Sequence, residues 1–134
     1  MTNRKTWARD ALISLLLAAG YMLIFAYNNT PLGAAIGSDN AMYLTMGTAL
    51  AKGYAPYTEI FDHKGPLLFL LQLLPQAVSG GYSLTAVFIQ ETLVLFACLM
   101  MMRAIAKELD VCPWAAQLVY MAMTCAFMDG GNLT

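Results

Sequence analysis

Three stretches almost free of charge, residues 11–27, 82–102 and 111–128, constrain this chain more than anything else in it. As helices rising about 1.5 Å per residue, the first two would extend about 26 and 32 Å, close to the roughly 30 Å hydrocarbon core of a bilayer. The rest of the composition agrees: 60 % of residues are apolar and 11 % charged, against about 45–50 % and 25 % in soluble domains. The expected fold class is an all-α membrane protein with three transmembrane helices. A net charge of −1 offers no concentrated field for a phosphate backbone, so nucleic acid is set aside as a partner. The three cysteines, Cys98, Cys112 and Cys125, are odd in number and lie in apolar stretches. They read as small core residues, not a disulfide framework.

The first run follows Arg4, Lys5 and Arg9, a start it shares with signal peptides. It exceeds the usual apolar region of about 7–15 residues, and small residues resembling a cleavage site come only at Ala34, Ala35 and Gly37, so a retained helix is predicted. Arg103, Lys107 and Glu108 close the second run. The third begins after Asp110, read as an N-cap, with Pro113 in the first turn, and Asp129-Gly130-Gly131-Asn132 stops it. Placing Arg4, Lys5, Arg9, Arg103 and Lys107 in the cytoplasm puts the N-terminus inside and residues 28–81 and 130–134 outside. Glu91, near the middle of the second run, implies protein neighbours, as a partner for other helices or as the lining of a cavity.

The outer connection 28–81 carries a pattern of its own. Ser38 can cap a surface helix over 39–52, with Met42, Met46, Ala49 and Leu50 on one face and Gly53 ending it. Ala55-Pro56-Tyr57 continues extended. A second helix is expected over 66–74, after Gly65, with Pro75 bending or ending it; it is too short to cross and reads as interfacial or re-entrant. No internal repeat or low-complexity segment is visible.

Much of the scarce charge gathers in this connection: Asp39, Lys52, Glu59, Asp62 and Lys64, with the single histidine, His63. Such a cluster held against a bilayer suits a ligand with a charged head and a greasy tail. Each residue also has a plainer role. Asp39 would offset the dipole of its helix, and Asp62-His63-Lys64 would be a solvated loop. One histidine and scattered carboxylates make no recognisable metal set, so no cofactor is expected and ligand spacing does not support a divalent metal. No nucleophile constellation or phosphate-binding glycine loop occurs.

The ordered set Ser38-Asp39-Asn40-Ala41-Met42-Tyr43, Gly53-Tyr54-Ala55-Pro56-Tyr57 and Ile60-Phe61-Asp62-His63-Lys64-Gly65-Pro66-Leu67-Leu68 resembles the first outer loop of GT-C membrane glycosyltransferases. The likeness is to the branch of protein O-mannosyltransferases and lipid A aminoarabinose transferases. The ending Asp129-Gly130-Gly131-Asn132-Leu133-Thr134 resembles a segment after the third membrane helix of bacterial members. The resemblance implies a bundle of many membrane helices, with two surface helices in the first outer loop, in a bacterial plasma membrane. It implies transfer of a sugar from a polyprenyl-phosphate donor to an acceptor hydroxyl, with inversion. It matches Asp39 to the catalytic aspartate and Lys64 to a lysine on the donor phosphate. Asp62 and His63 would position Lys64, Tyr43 would line the site, and Asp129 would be a second outer carboxylate.

Relatives of that kind have several hundred residues and many more spans. The chain is therefore expected to be the N-terminal part of such an enzyme, inactive alone, with the remaining helices of the full-length protein and membrane lipid as partners. The competing expectation is a small non-enzymatic membrane subunit that binds a partner or lipid through Glu91 and the surface helices. A transporter would need a repeated half, which three spans do not supply.

Overall fold

The computed structural model describes residues 4–26, 30, 32, 38–60 and 65–127, with the side chains of residues 4 and 38–40 excepted. Among the described residues it is all-helical: α1 (Arg4–Phe25), α2 (Ser38–Ala51), α3 (Pro66–Ser79), α4 (Leu84–Glu108) and α5 (Pro113–Phe127). There is no strand among them, only an isolated bridge between Pro56 and Ile60. The chain divides into two compact units, Met1–Tyr27 with Glu91–Asn132, and Asn28–Gln90 with Leu133–Thr134.

In the first unit the buried positions recur at helical spacing. On α1 they are Asp10, Ser14, Ala18, Tyr21 and Met22, on α4 Thr92, Leu95, Leu99, Arg103 and Ala106, and on α5 Gln117 and Thr124. Most of these residues are small or polar. Leu12, Leu16 and Ile24 of α1, Leu93, Val94 and Met101 of α4, and Leu118, Val119 and Met123 of α5 are instead exposed. A water-solvated helix would show the opposite polarity.

Two polar layers join the three helices. In one, Arg103 of α4 donates through Nη2 to Asp10 of α1, and its guanidinium lies 4.2 Å from the centroid of the Trp114 ring of α5. In the next, Nε2 of Gln117 on α5 donates to Ser14 Oγ of α1 at 2.9 Å and to the Leu99 carbonyl of α4 at 2.9 Å. Passing from the first layer to the second advances along α1 and α5 but retreats along α4. The helices therefore run up, down and up.

Several expectations change. Helix α1 starts at Arg4, so Arg4, Lys5 and Arg9 stand on the helix and not ahead of it. Helix α4 continues through Arg103, Lys107 and Glu108; Arg103 is 6 % exposed and joins helices where a solvated flank was expected. Glu91 falls two turns into α4 and not at its middle, and is half-buried. Two helices, Lys5–Phe25 and Leu84–Glu108, are long and apolar enough to cross a membrane. The 15 residues of α5 reach only about 22 Å, short of a crossing, and residue 128 lies outside the described residues.

Asp110 is not the N-cap of α5. It takes a left-handed φ of 55° and ends α4, with Val111 N–H donating to Ala106 O at 2.8 Å and Asp110 N–H to Lys107 O at 3.3 Å. That pair of bonds is the Schellman closure. The same closure ends α2 at Gly53 and α3 at Gly80, both at positive φ. Aspartate tolerates the conformation that glycine takes at the other two ends. Cys112 consequently stands just ahead of α5 and is exposed, whereas Cys98 and Cys125 are half-buried as expected.

In the second unit Pro75 lies inside α3 and does not end it. The proline removes one backbone donor, but the helix runs on to Ser79, whose Oγ donates to the Pro75 carbonyl at 2.8 Å. Gly80 supplies the actual stop.

Candidate functional site

The second unit is built on the crossing of α2 and α3. Tyr43 and Met46 of α2 pack with Phe69 of α3 as a buried cluster, and Met42, Leu50, Ile60 and Leu68 lie against it. The helices approach closely at Gly47, where a Cβ would lie 2.6 Å from the Gln72 carbonyl oxygen. Only glycine allows the backbones this near. Helix α3 turns Phe69, Gln72 and Gln76 inward and leaves Leu67, Leu70, Leu71, Leu74 and Val78 exposed. Its amphipathicity is thus inverted relative to a helix in water.

The turn after α2 is tightly made. Ala55 N–H donates to Glu59 Oε2 at 2.6 Å, and Glu59 N–H returns to the Ala55 carbonyl at 3.1 Å. One oxygen of the exposed Glu59 carboxylate is therefore engaged in closing a turn. Tyr57 takes a φ of 66°, a costly state of order 1–2 kcal/mol for a residue with a Cβ. Its N–H donates to the Ile60 carbonyl at 2.6 Å, and its ring lies 6.1 Å from that of Phe69. The turn is thereby tied to the start of α3. Beside it Lys52, with Tyr54, Tyr82, Thr45 and Thr48, lines a shallow cavity of about 230 Å³. The hydroxyls of Thr45 and Thr48 donate to carbonyls of α2 itself, which leaves Lys52 and the two tyrosines as the polar groups facing outward.

Asp39 is the second residue of α2, and its side chain lies outside the described residues. Asp62, His63, Lys64 and Asp129 lie outside them altogether. Tyr43 is 1 % exposed; its ring is a member of the core cluster, and it stands one turn after Asp39 on α2. The described residues flanking 61–64 are Ile60, which packs on the cluster, and Gly65, the N-cap of α3. Among the described residues no three His, Cys, Asp or Glu side chains come together as a metal set. Neither the Lys52 cavity nor the close approach at Gly47 is marked by a sequence motif. A glycine inside an otherwise apolar helical pattern was the available signal for the second.

No protein-family model, no curated protein and no solved structure matches the chain.

Proposed function

We propose that the chain is the N-terminal part of an integral-membrane glycosyltransferase that uses a polyprenyl-phosphate-linked sugar on the outer face. The observation that carries this reading is the packed α2–α3 pair, which follows α1 and precedes α4 in chain order. The resemblance calls for two surface helices there, one opening on Ser38-Asp39 and one following Lys64-Gly65-Pro66. One apolar cluster joins the N-terminal half of α3, through Leu68 and Phe69, to α2 along its length from Met42 to Leu50, and the inverted polarity of α1, α3, α4 and α5 supports lipid as their solvent. The up-down-up order of α1, α4 and α5 supports a third crossing that begins in α5. The N-terminus of α1 and the C-terminus of α4 then share the cytoplasmic side.

In this reading the acceptor hydroxyl attacks the anomeric carbon from the face opposite the phosphate. Its proton passes to the Asp39 carboxylate. The sugar–phosphate bond breaks with its electron pair on the phosphate oxygen, where the Lys64 ammonium offsets the charge. Asp62 and His63 position Lys64, Tyr43 fixes the turn of α2 that follows Asp39, and Asp129 is a further outer carboxylate. The host membrane is the bacterial plasma membrane.

The test is photolabelling of the chain in detergent with a diazirine-bearing undecaprenyl phosphate. Label should map to residues 28–81 and fall roughly tenfold in Lys64→Gln, the loss expected for a charge-assisted phosphate contact. Label spread over the other helices, or unchanged in that variant, contradicts the reading.

A further inference from the structure

The shallow cavity of about 230 Å³ at the end of α2 gathers hydrogen-bond donors around a single charge, the Lys52 ammonium. Lys52 is exposed, and Tyr54 and Tyr82 are 50 and 52 % exposed, so all three can meet a ligand from outside. Neither the ammonium nor either phenol has a hydrogen-bond or ion-pair partner among the described residues. The hydroxyl protons of Thr45 and Thr48 are committed to the Ala41 and Leu44 carbonyls. No carboxylate is among the described residues on the cavity wall. Glu59, close by in sequence, is not on that wall and accepts from Ala55 N–H.

A lysine after a helix has a plainer use, offsetting the negative end of the dipole. Here the carbonyls of Thr48, Ala49 and Leu50 already accept from the N–H groups of Lys52, Gly53 and Tyr54. The cap is thus closed by backbone alone, and the ammonium is left to the cavity. The location narrows the ligand further. Tyr82 stands two residues before α4, and Leu84–Glu108 is long and apolar enough to cross a membrane. Tyrosine and lysine at the end of such a helix mark the headgroup level of a bilayer. Asp39 lies at the other end of α2, whose 14 residues extend about 20 Å. The cavity is therefore apart from the carboxylate of the proposed chemistry.

We infer that this cavity binds the phosphate of an anionic phospholipid headgroup in the outer leaflet. A phosphate brings several acceptor oxygens to one cation and two phenolic donors, and the attached glycerol lies against Ala49 and the tyrosine rings. The site goes beyond sugar transfer and rests only on the membrane reading of the chain.

Amide resonances of the isotope-labelled chain in nonionic detergent are followed as dihexanoyl phosphatidate, dihexanoyl phosphatidylcholine or inorganic phosphate is added. Phosphatidate should give saturable shifts confined to Lys52, Gly53, Tyr54 and Tyr82, at a concentration roughly tenfold below that of inorganic phosphate, since only the lipid buries apolar surface on the rings. Lys52→Gln should weaken binding roughly fivefold, as for one interfacial cation, and Lys52→Arg should bind like the wild type. Lys52 is exposed and its side chain makes no internal contact through the ammonium, so both variants should keep the remaining resonances unmoved.

Equal affinity for inorganic phosphate overturns the lipid source in favour of a free anion. Equal affinity for phosphatidylcholine, whose choline balances the phosphate, overturns the requirement for net charge. Shifts absent from these four residues, undiminished binding by Lys52→Gln, or Lys52→Arg as weak as Lys52→Gln overturns the site itself. A chain that stays dispersed and helical without detergent refutes the membrane reading, and the lipid assignment falls with it.

Discussion

Replacing Gly47 by alanine probes the α2–α3 crossing directly. The new methyl carbon would sit 2.6 Å from the Gln72 carbonyl oxygen, 2.7 Å from its carbon and 2.8 Å from its Cβ, where ordinary contact begins at 3.4 Å. The two nearest atoms are backbone and cannot rotate away, so α3 must retreat by the difference, 3.4 − 2.6 = 0.8 Å. Overpacking of this kind costs about 1–3 kcal/mol. Exchanging a helical glycine for alanine returns about 0.5–1 kcal/mol, so Gly47→Ala should be destabilising by roughly 1–2 kcal/mol. Gly20 of α1 is the control, because a Cβ there meets nothing within 4 Å; Gly20→Ala should be neutral or stabilising by up to about 1 kcal/mol. Unfolding of the chain by sodium dodecyl sulfate in mixed micelles, followed by circular dichroism and by proteolysis after Lys52, reads both. If Gly47→Ala unfolds at or above the detergent fraction of the wild type, the close approach is not a constraint and the packing described for this unit is wrong.

Gln117→Leu removes the two bonds from Nε2 to Ser14 and Leu99, and should cost about 1–2 kcal/mol in the same assay, near the upper range for interhelical bonds in membranes; no loss would mean the node does not join the helices. Cys112 has the backbone N–H groups of Ala115 and Trp114 directed at its sulfur, which hold its thiol below the ordinary value. Its alkylation should therefore reach half-maximal rate at lower pH than a free thiol near about 8.5, and a midpoint at or above that of glutathione contradicts this. In sealed vesicles a membrane-impermeant maleimide should label Thr58→Cys, in the exposed turn after α2, from the side opposite to Cys112. Labelling of both from one side refutes the topology.

The helices were legible because their signals are local. Charge-poor runs, Gly53 and Gly65-Pro66 mark most boundaries without reference to neighbours. The misread ends are those set by nonlocal or finely balanced effects. Arg103 reads as a flank until Asp10, far away in sequence, is brought beside it. Asp110 has the side chain of an N-cap, and only its left-handed backbone shows that it ends the preceding helix. Pro75 has the usual mark of a helix end, but the downstream turn held by Ser79 and closed at Gly80 carries α3 past it. At the candidate site, Tyr43 is equally suited by sequence to a ligand or to a core, and burial against Met46 and Phe69 assigns its ring to the core. The Lys52 cavity needed Tyr82 to be brought back beside α2, a juxtaposition that no spacing encodes.

Sugar transfer by the Asp39→Asn variant tests the proposed chemistry most directly. The complete reading frame is expressed, insertion of the variant at wild-type level is verified, and release of labelled sugar from a polyprenyl-phosphate donor is followed in membranes. Loss of a general base should slow transfer by roughly 10²–10⁴-fold while photolabelling by undecaprenyl phosphate persists. Transfer at the wild-type rate by the inserted variant would contradict the role of Asp39, and no transfer by the wild type from any such donor would contradict the proposed activity itself.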